Sequence, residues 1–324
     1  MTDVLLVSLG GTAGLREADA ELAASLRRAG ASVAVAAAEP VREWRTMALI
    51  ELAWALSARR AAARGIAAHA PRAIVYSSST AALLAPAPGA IRFDAPAAGN
   101  RPGRHGVWQR PAERRRFASA ALLVPWSAGA LAEAPRPHGE AVVVPVPVEP
   151  SGPPAPERDV AAITYGAHPE KKGLDVVLDA WARARAPGEE LVVAGLDAAA
   201  WRGAPPGVRF AGMLSRQEYR GLLRRARVFV TAPRREDYGI AQLEALADGC
   251  ALVTAASPGP YAALPVARAL DRRLVGGDLA AALRTALDDP TPGYAERAAD
   301  ALAPWRRAEV DRVVAGELLP RLIG

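Results

Sequence analysis

The sequence predicts an α/β chain built from two parallel-sheet domains, and three observations carry that prediction. Short apolar runs alternate with helix-length segments along most of the 324 residues, which is the pattern of repeated strand–helix units in a parallel sheet. The alternation breaks once, in the stretch EPSGPPAPE from Glu149 to Glu157, which is too proline-rich for a helix or a central strand and suits a stiff connection. It then resumes. A chain of this length is long for one core and ordinary for two.

In the first half, strands are expected at Val4–Ser8, Ser32–Ala37, Ala73–Tyr76, Ala90–Phe93, Leu122–Pro125 and Val142–Val146. Ser8-Leu9-Gly10-Gly11-Thr12 follows the first strand and opens a helix containing Leu22 and Leu26. Its glycines permit either a tight turn or the close approach of a ligand. In the second half, strands are expected at Val160–Tyr165, Leu191–Ala194, Val208–Phe210, Val228–Thr231 and Ala251–Thr254, with helices at Leu174–Arg185 and Ser215–Arg225. Pro304–Leu322 reads as a closing helix with Trp305, Val310, Val313, Val314, Leu318 and Leu319 on its apolar side. The expected boundaries are residues 1–148 for the first domain, 149–158 for the connection, 159–303 for the second domain and 304–324 for the closing helix.

With 51% hydrophobic and 23% charged residues, the composition is that of a globular protein and excludes wholesale disorder. No run approaches the roughly eighteen apolar residues of a membrane span. Met1–Leu9 has neither a basic start nor a cleavage site, so a cytoplasmic protein is expected. Cys250, the single cysteine, excludes an internal disulfide and reads as an inert core thiol at the start of a buried strand. The four histidines are scattered, with no His-x3-His, clustered Cys or Asp-x-Asp, so no tightly bound metal is expected. Against a net charge of only +6, Arg101, Arg104, Arg110, Arg114, Arg115 and Arg116 crowd one segment, opposed there by Glu113. That segment fits either an anionic lipid or acceptor at its surface, or a solvated helix face. Nucleic acid is not an expected partner, because no aromatic-interleaved basic stretch or nucleic-acid-binding motif accompanies the charge.

The most informative stretch is VFVTAPRREDYGIAQLEALADGCALVT, from Val228 to Thr254. Pro233 should end the first strand, and a helix should run from near Gly239 to Gly249. Glu236 then lies in a loop at the carboxyl end of a parallel strand, where open sheets bind ligands, and Glu244 lies one turn inside the helix. The amides of Gly239, Ile240 and Ala241 begin that helix and suit a phosphate group, and Asp237 is expected to cap it. Alone, seven residues between two glutamates is a weak signal.

In its context of strand, Pro, Glu, Tyr-Gly, Leu-Glu-Ala-Leu-Ala, Gly-Cys, strand, the region resembles the C-terminal signature of retaining GT-B glycosyltransferases of family 4, the group 1 type. The resemblance implies two Rossmann-like domains facing each other across a cleft, with the final helix crossing back to the first. It also implies transfer of a sugar from a nucleotide diphosphate sugar to a hydroxyl acceptor that is a glycan, a lipid or a small molecule, with no cofactor and no bound metal. Tyr165-Gly166-Ala167-His168-Pro169-Glu170-Lys171-Lys172-Gly173 is similar to the family's Gly-Arg-x-x-x-x-Lys-Gly loop, with Lys172 at the lysine and Ala167 at the arginine. By this resemblance Lys172 and Glu236 serve catalysis, while Gly166 lies in the diphosphate loop and His168, Lys171 or an arginine from elsewhere supplies a second positive group. Glu244 accepts the ribose hydroxyls, and Gly212 and Met213 hold the base through main-chain groups. On the acceptor side, Gly10 and Gly11 approach substrate. Phe93-Asp94 stands where the family often has His-Asp, with His105 as a substitute, and Asn100 and Arg101 touch the acceptor. Ser127 opens the next helix, where a capping role suffices.

Two other readings stand beside this one. Gly10-Gly11-x-x-Gly14 after a strand, with Glu39 ending the next strand, fits an NAD-dependent oxidoreductase, but the full Gly-x-Gly-x-x-Gly spacing is missing. The departures at Ala167 and Phe93 fit a GT-B relative that hydrolyses or epimerises a nucleotide sugar, or a catalytically weakened binding subunit.

Overall fold

The structure, a computed structural model, describes residues 2–42, 46–153 and 155–324, so Pro154 of the expected connection lies outside the described residues. The chain forms two compact units, Met1–Pro147 with Arg307–Gly324, and Val148–Arg306.

The first unit is a parallel sheet of β1 (Val4–Ser8), β2 (Val33–Ala37), β3 (Ala73–Tyr76), β4 (Ala90–Phe93) and β5 (Leu122–Pro125) in the order β2-β1-β3-β4-β5. Successive side chains on a strand point to opposite faces. Accordingly Leu5 and Val7 join Ile74, Tyr76, Phe93 and Phe117 in one core, and Val4 and Leu6 join Leu22, Leu26, Val75 and Val124 in the other. The second core is completed by Val310, Val314 and Leu318. The closing segment is not one helix from Pro304. A 3-10 turn, Ala303–Trp305, precedes a helix at Arg307–Val313, a wide turn at Val314–Leu318 and a last helix at Leu319–Ile323. Pro320 has no N–H to return to the turn before it, which is where the regular ladder gives way.

The expected strand Val142–Val146 does not form. Val142 N donates to Leu123 O and Val144 N to Pro125 O, both at 2.9 Å, and a single bridge joins Ala141 to Leu123. The alternating burial of a strand is present, with Val142, Val144 and Val146 all buried. Pro145 and Pro147, however, remove the donors that would extend the ladder.

The second unit is a parallel sheet of β6 (Val160–Tyr165), β7 (Leu191–Ala194), β8 (Val208–Gly212), β9 (Ala226–Thr231) and β10 (Ala251–Thr254) in the order β10-β9-β6-β7-β8. The chain leaves β6 through β7 and β8, then returns to lay β9 on the other side of β6, with Ile163 level with Phe229. Strand order therefore reverses between β6 and β9, and the loops after these two strands line the crevice typical of a switch point. Trp181, Leu223, Phe229, Leu243 and Leu246 are buried around this sheet. The start of the proline-rich stretch is anchored in the same unit. Ser151 gives its N–H and hydroxyl to the Asp248 carboxylate at 2.8 and 3.0 Å, and Arg158 Nη2 donates to Asp248 O at 2.9 Å. Among the described residues, no helix is long and apolar enough to cross a membrane.

Candidate functional site

The loop after β6 is shaped by backbone conformations that few residues adopt. Gly166 N donates to Ala194 O at 2.7 Å, and His168 then takes a left-handed φ of 57° before the short helix Pro169–Lys172. Gly173 follows at φ 62°, and a Cβ there would stand 1.9 Å from Ala232 O. Only glycine lets the β6 loop lie this close to the end of β9. That approach sets Lys171 and Lys172 against the segment after β9.

Lys172 Nζ lies 2.8 Å from Glu236 Oε2, and Gln242 Nε2 donates to the same oxygen at 3.0 Å. Glu236 is 5% exposed, and its own N–H is held by Pro258 O. Beside this group, Lys171 Nζ and Arg235 Nε reach opposite oxygens of Asp237 at 3.1 and 2.9 Å. Asp237 is therefore not the helix cap expected of it. The helix Ile240–Ala247 starts from Gly239 at φ 90°, with no side-chain cap. With both oxygens of Asp237 committed to cations, glycine makes the turn, and the first amides of the helix, Ile240 and Ala241 among them, receive no side-chain cap among the described residues. Gly239 is as constrained as Gly173, since a Cβ there would meet the Tyr261 ring at 2.9 Å.

Farther along the same helix, buried Glu244 Oε1 accepts from Arg216 Nη2 at 2.8 Å and Arg220 Nη1 at 3.3 Å. Arg220 is itself buried, with Nε on Asp248 Oδ2 at 2.6 Å and Nη2 on Glu149 O at 2.7 Å. Tyr165 at the end of β6 and Tyr219 pack with ring centroids 5.7 Å apart. Both phenols are pushed above the ordinary tyrosine range, first by burial and then by the Glu244 charge. Gly212 turns at φ 66° at the end of β8 and accepts from Gly195 N at 2.8 Å, while Met213 beside it is 74% exposed.

The structure thus brings Lys172 to Glu236 and Lys171 to Asp237. His168 stays exposed at its turn. Gln242, Arg216, Arg220 and Asp248 escaped the sequence reading, although a signal for three of them was present. Arg216 and Arg220 are four apart on one helix, as are Glu244 and Asp248 on another, so each pair shares a face.

In the first unit, Gly10 turns at φ 61°, its carbonyl accepting from Arg16 Nη1 at 2.9 Å, and Gly11 faces the Trp54 ring. Phe93 is core, 4.7 Å between centroids from Phe117. Asp94 Oδ1 accepts from Ala95 N at 2.9 Å. Asn100 ends the short helix Ala97–Asn100, Arg101 Nη2 pairs with Glu51 Oε1 at 2.5 Å, and His105 is exposed in the turn Gly103–Gly106. Of the basic segment, Arg110 and Arg116 are spent on backbone carbonyls of Arg101, Leu83 and Ala85, whereas Arg104, Arg114 and Arg115 are exposed. Ser127 Oγ caps its helix through Ala130 N at 3.0 Å. Cys250 is buried, and its thiol is pushed up to about 12 by that burial.

Residues 159–289 match the family model described as Glycosyl transferases group 1. Among curated proteins none matches. Among solved structures, the chain is similar to a sucrose-phosphate synthase from Thermosynechococcus elongatus, with a TM-score of 0.70, 16% identity, and 99% of each chain covered. It is also similar to WaaG, a glycosyltransferase involved in lipopolysaccharide biosynthesis, with a TM-score of 0.71, 15% identity, and 97% of this chain and 99% of the other covered. Anabaena HepE in complex with UDP and glucose gives a TM-score of 0.71 at 15% identity, covering 98% and 99%. These likenesses concern the fold, whose two parallel sheets are those of GT-B proteins.

Proposed function

We propose, from the match of residues 159–289 to the glycosyl transferases group 1 model and from the GT-B fold, that this protein is a glycosyltransferase that moves a sugar from a nucleotide diphosphate sugar to a hydroxyl acceptor, with retention at the anomeric carbon and without a metal ion. The observation that carries the reading is the group Lys172–Glu236–Gln242, assembled at the uncapped start of a helix in the switch-point crevice.

The chemistry follows from charge. As the bond between the anomeric carbon and the diphosphate oxygen breaks, its electron pair leaves with the diphosphate. Lys172 and the amides of Ile240 and Ala241 meet that growing negative charge from fixed positions. Lys171 and Arg235, gathered by Asp237, supply the second positive group that Ala167 lacks. Glu236 faces the sugar, where a buried carboxylate supports positive character on the anomeric carbon. The acceptor oxygen bonds to that carbon from the side the diphosphate leaves, and its proton passes to the departing phosphate. Glu244 takes the ribose hydroxyls, for which a carboxylate is an all-acceptor partner. UDP is the first nucleotide to test, since HepE was solved with it. The exposed Arg104, Arg114 and Arg115 support a peripheral contact with an anionic membrane surface on the cytoplasmic side.

The test is calorimetric titration with UDP, GDP, ADP and NAD, in EDTA and again with magnesium, followed by turnover assays with and without candidate acceptors. One nucleoside diphosphate should bind equally in EDTA. Glu244→Ala should weaken it by about ten- to a hundredfold, the scale of hydrogen bonds to a charged group. Lys172→Ala should lower kcat by about a hundred- to a thousandfold with a smaller effect on binding. Binding of NAD alone, or no change in either variant, sinks the proposal. Donor turnover independent of any acceptor would make the protein a hydrolase instead.

A further inference from the structure

Two buried carboxylates, Glu244 and Asp248, share one buried guanidinium, Arg220. Arg220 is spent mainly elsewhere, holding Asp248 at 2.6 Å and Glu149 O at 2.7 Å and reaching Glu244 only at 3.3 Å. The shorter contact to Glu244, at 2.8 Å, comes from Arg216, whose side chain is 55% exposed against 6% for Arg220. Both arginines end on the same oxygen, Oε1. A carboxylate oxygen has two lone pairs, so that oxygen is already fully used.

We infer that Arg216 closes Glu244 in the nucleotide-free protein and must release it when a nucleotide binds, so that this arginine sets the affinity for the nucleoside part of the ligand. The inference rests on the reading that Glu244 holds the ribose. A diol binding across the carboxylate needs an acceptor site on each oxygen, and on Oε1 it can displace only the outer, solvent-facing donor. Arg220 is tied to Asp248 and to Glu149 O as well and cannot swing away. Arg216 can, because its backbone is fixed independently of its side chain. It is the first residue of the helix Arg216–Arg225, and that start is locked by a full capping box between Ser215 and Glu218. The guanidinium can swing into water while the helix stays in place.

Arg216→Ala should therefore tighten binding of whichever of UDP, GDP and ADP the wild-type protein binds. The gain should be about two- to fivefold, the scale of an exposed ion pair removed from competition. Arg216→Lys should lie nearer the wild type, because an ammonium restores the competing charge. The gain should vanish when Arg216→Ala is added to Glu244→Ala, since the two residues then have no contact to lose. Unchanged or weaker nucleotide binding in Arg216→Ala overturns the inference, and weaker binding would make Arg216 a ligand of the nucleotide rather than its competitor. The Glu244→Ala protein separates the two levels. If it binds nucleotide as the wild type does, the ribose reading itself fails. If it loses binding while Arg216→Ala gains nothing, only the role of Arg216 fails. Thermal melts of each variant confirm that the capped helix is intact.

Discussion

The buried carboxylates of this protein have different partners. Glu236 and Glu244 are each buried beside cations, Lys172 in one case and Arg216 with Arg220 in the other. Glu113 in the first unit is as buried, at 2% exposed, but its oxygens accept mainly from Ala97 N, at 2.8 and 3.0 Å. Burial pushes its carboxyl up to about 7 from 4.5, opposed by the Ala97 N–H, a Ser79 hydrogen bond and the charge of Arg101, and aided by the charge of Glu51. The folded state thus favours the protonated acid. That contribution is complete below pH 4.5 and is lost as pH rises to about 7, with a slope of at most about 1.4 kcal/mol per pH unit. Glu113→Gln, which keeps an acceptor for Ala97, should flatten the dependence of the urea midpoint on pH between 4.5 and 8; an undiminished slope would show that another group titrates there. At this scale the sequence was most readable where chemistry and topology coincide. Lys172, Glu236 and Glu244 stand in or just beyond loops at strand ends, the places where open parallel sheets in general take their ligands. Gln242 sits within an ordinary-looking helix, and only the partner it meets in space marks it out.

Elements were legible where a hydrophobic run and a turn residue agree. Ala73–Tyr76, Leu191–Ala194 and Ala251–Thr254 are strands as expected, and Ser215 starts its helix with the capping box that Glu218 three residues later permits. Val142–Val146 misled because its period of two reports alternate burial, and burial does not supply the amides that Pro145 and Pro147 lack. Close approach between elements was not legible. The β6 loop reaches the end of β9 only because Gly173 has no Cβ. Gly173→Ala should therefore cost more than the roughly 1–2 kcal/mol of a left-handed alanine, because a methyl would press on Ala232 O. It should also draw Lys172 away from Glu236 and lower kcat more than it weakens nucleotide binding. Gly188→Ala is the control, at φ 83° with nothing within 4 Å. Equal losses of stability and turnover in the two variants would mean that the approach of the loops does not position the lysine.

At the scale of the whole molecule, the alternation of strands and helices announces two sheets, but periodicity alone could not say which core the closing segment serves. Its apolar side is decided by what it meets. Val310, Val314 and Leu318 are buried against Leu22, Leu26 and Val75, and Asp311 holds Ser25 and Arg28 at 2.5 and 2.7 Å. Each of those three side chains contributes about 1.5–3 kcal/mol when fully buried, so together they rival the roughly 5–15 kcal/mol that holds a whole domain folded. The second unit closes without them, since Trp305 O accepts from Val148 N at 2.8 Å and Trp305 Nε1 donates to Tyr238 OH at 3.0 Å. A chain ending at Arg306 should therefore lose hydrogen-exchange protection across β1, β3, β4 and β5 while β6, β7, β9 and β10 keep theirs. It should still bind the nucleoside diphosphate through Glu244 yet fail to transfer sugar. Protection lost equally in both sheets would mean that the two units do not stand on their own cores, and protection lost in neither would mean that Val310, Val314 and Leu318 add little to the first.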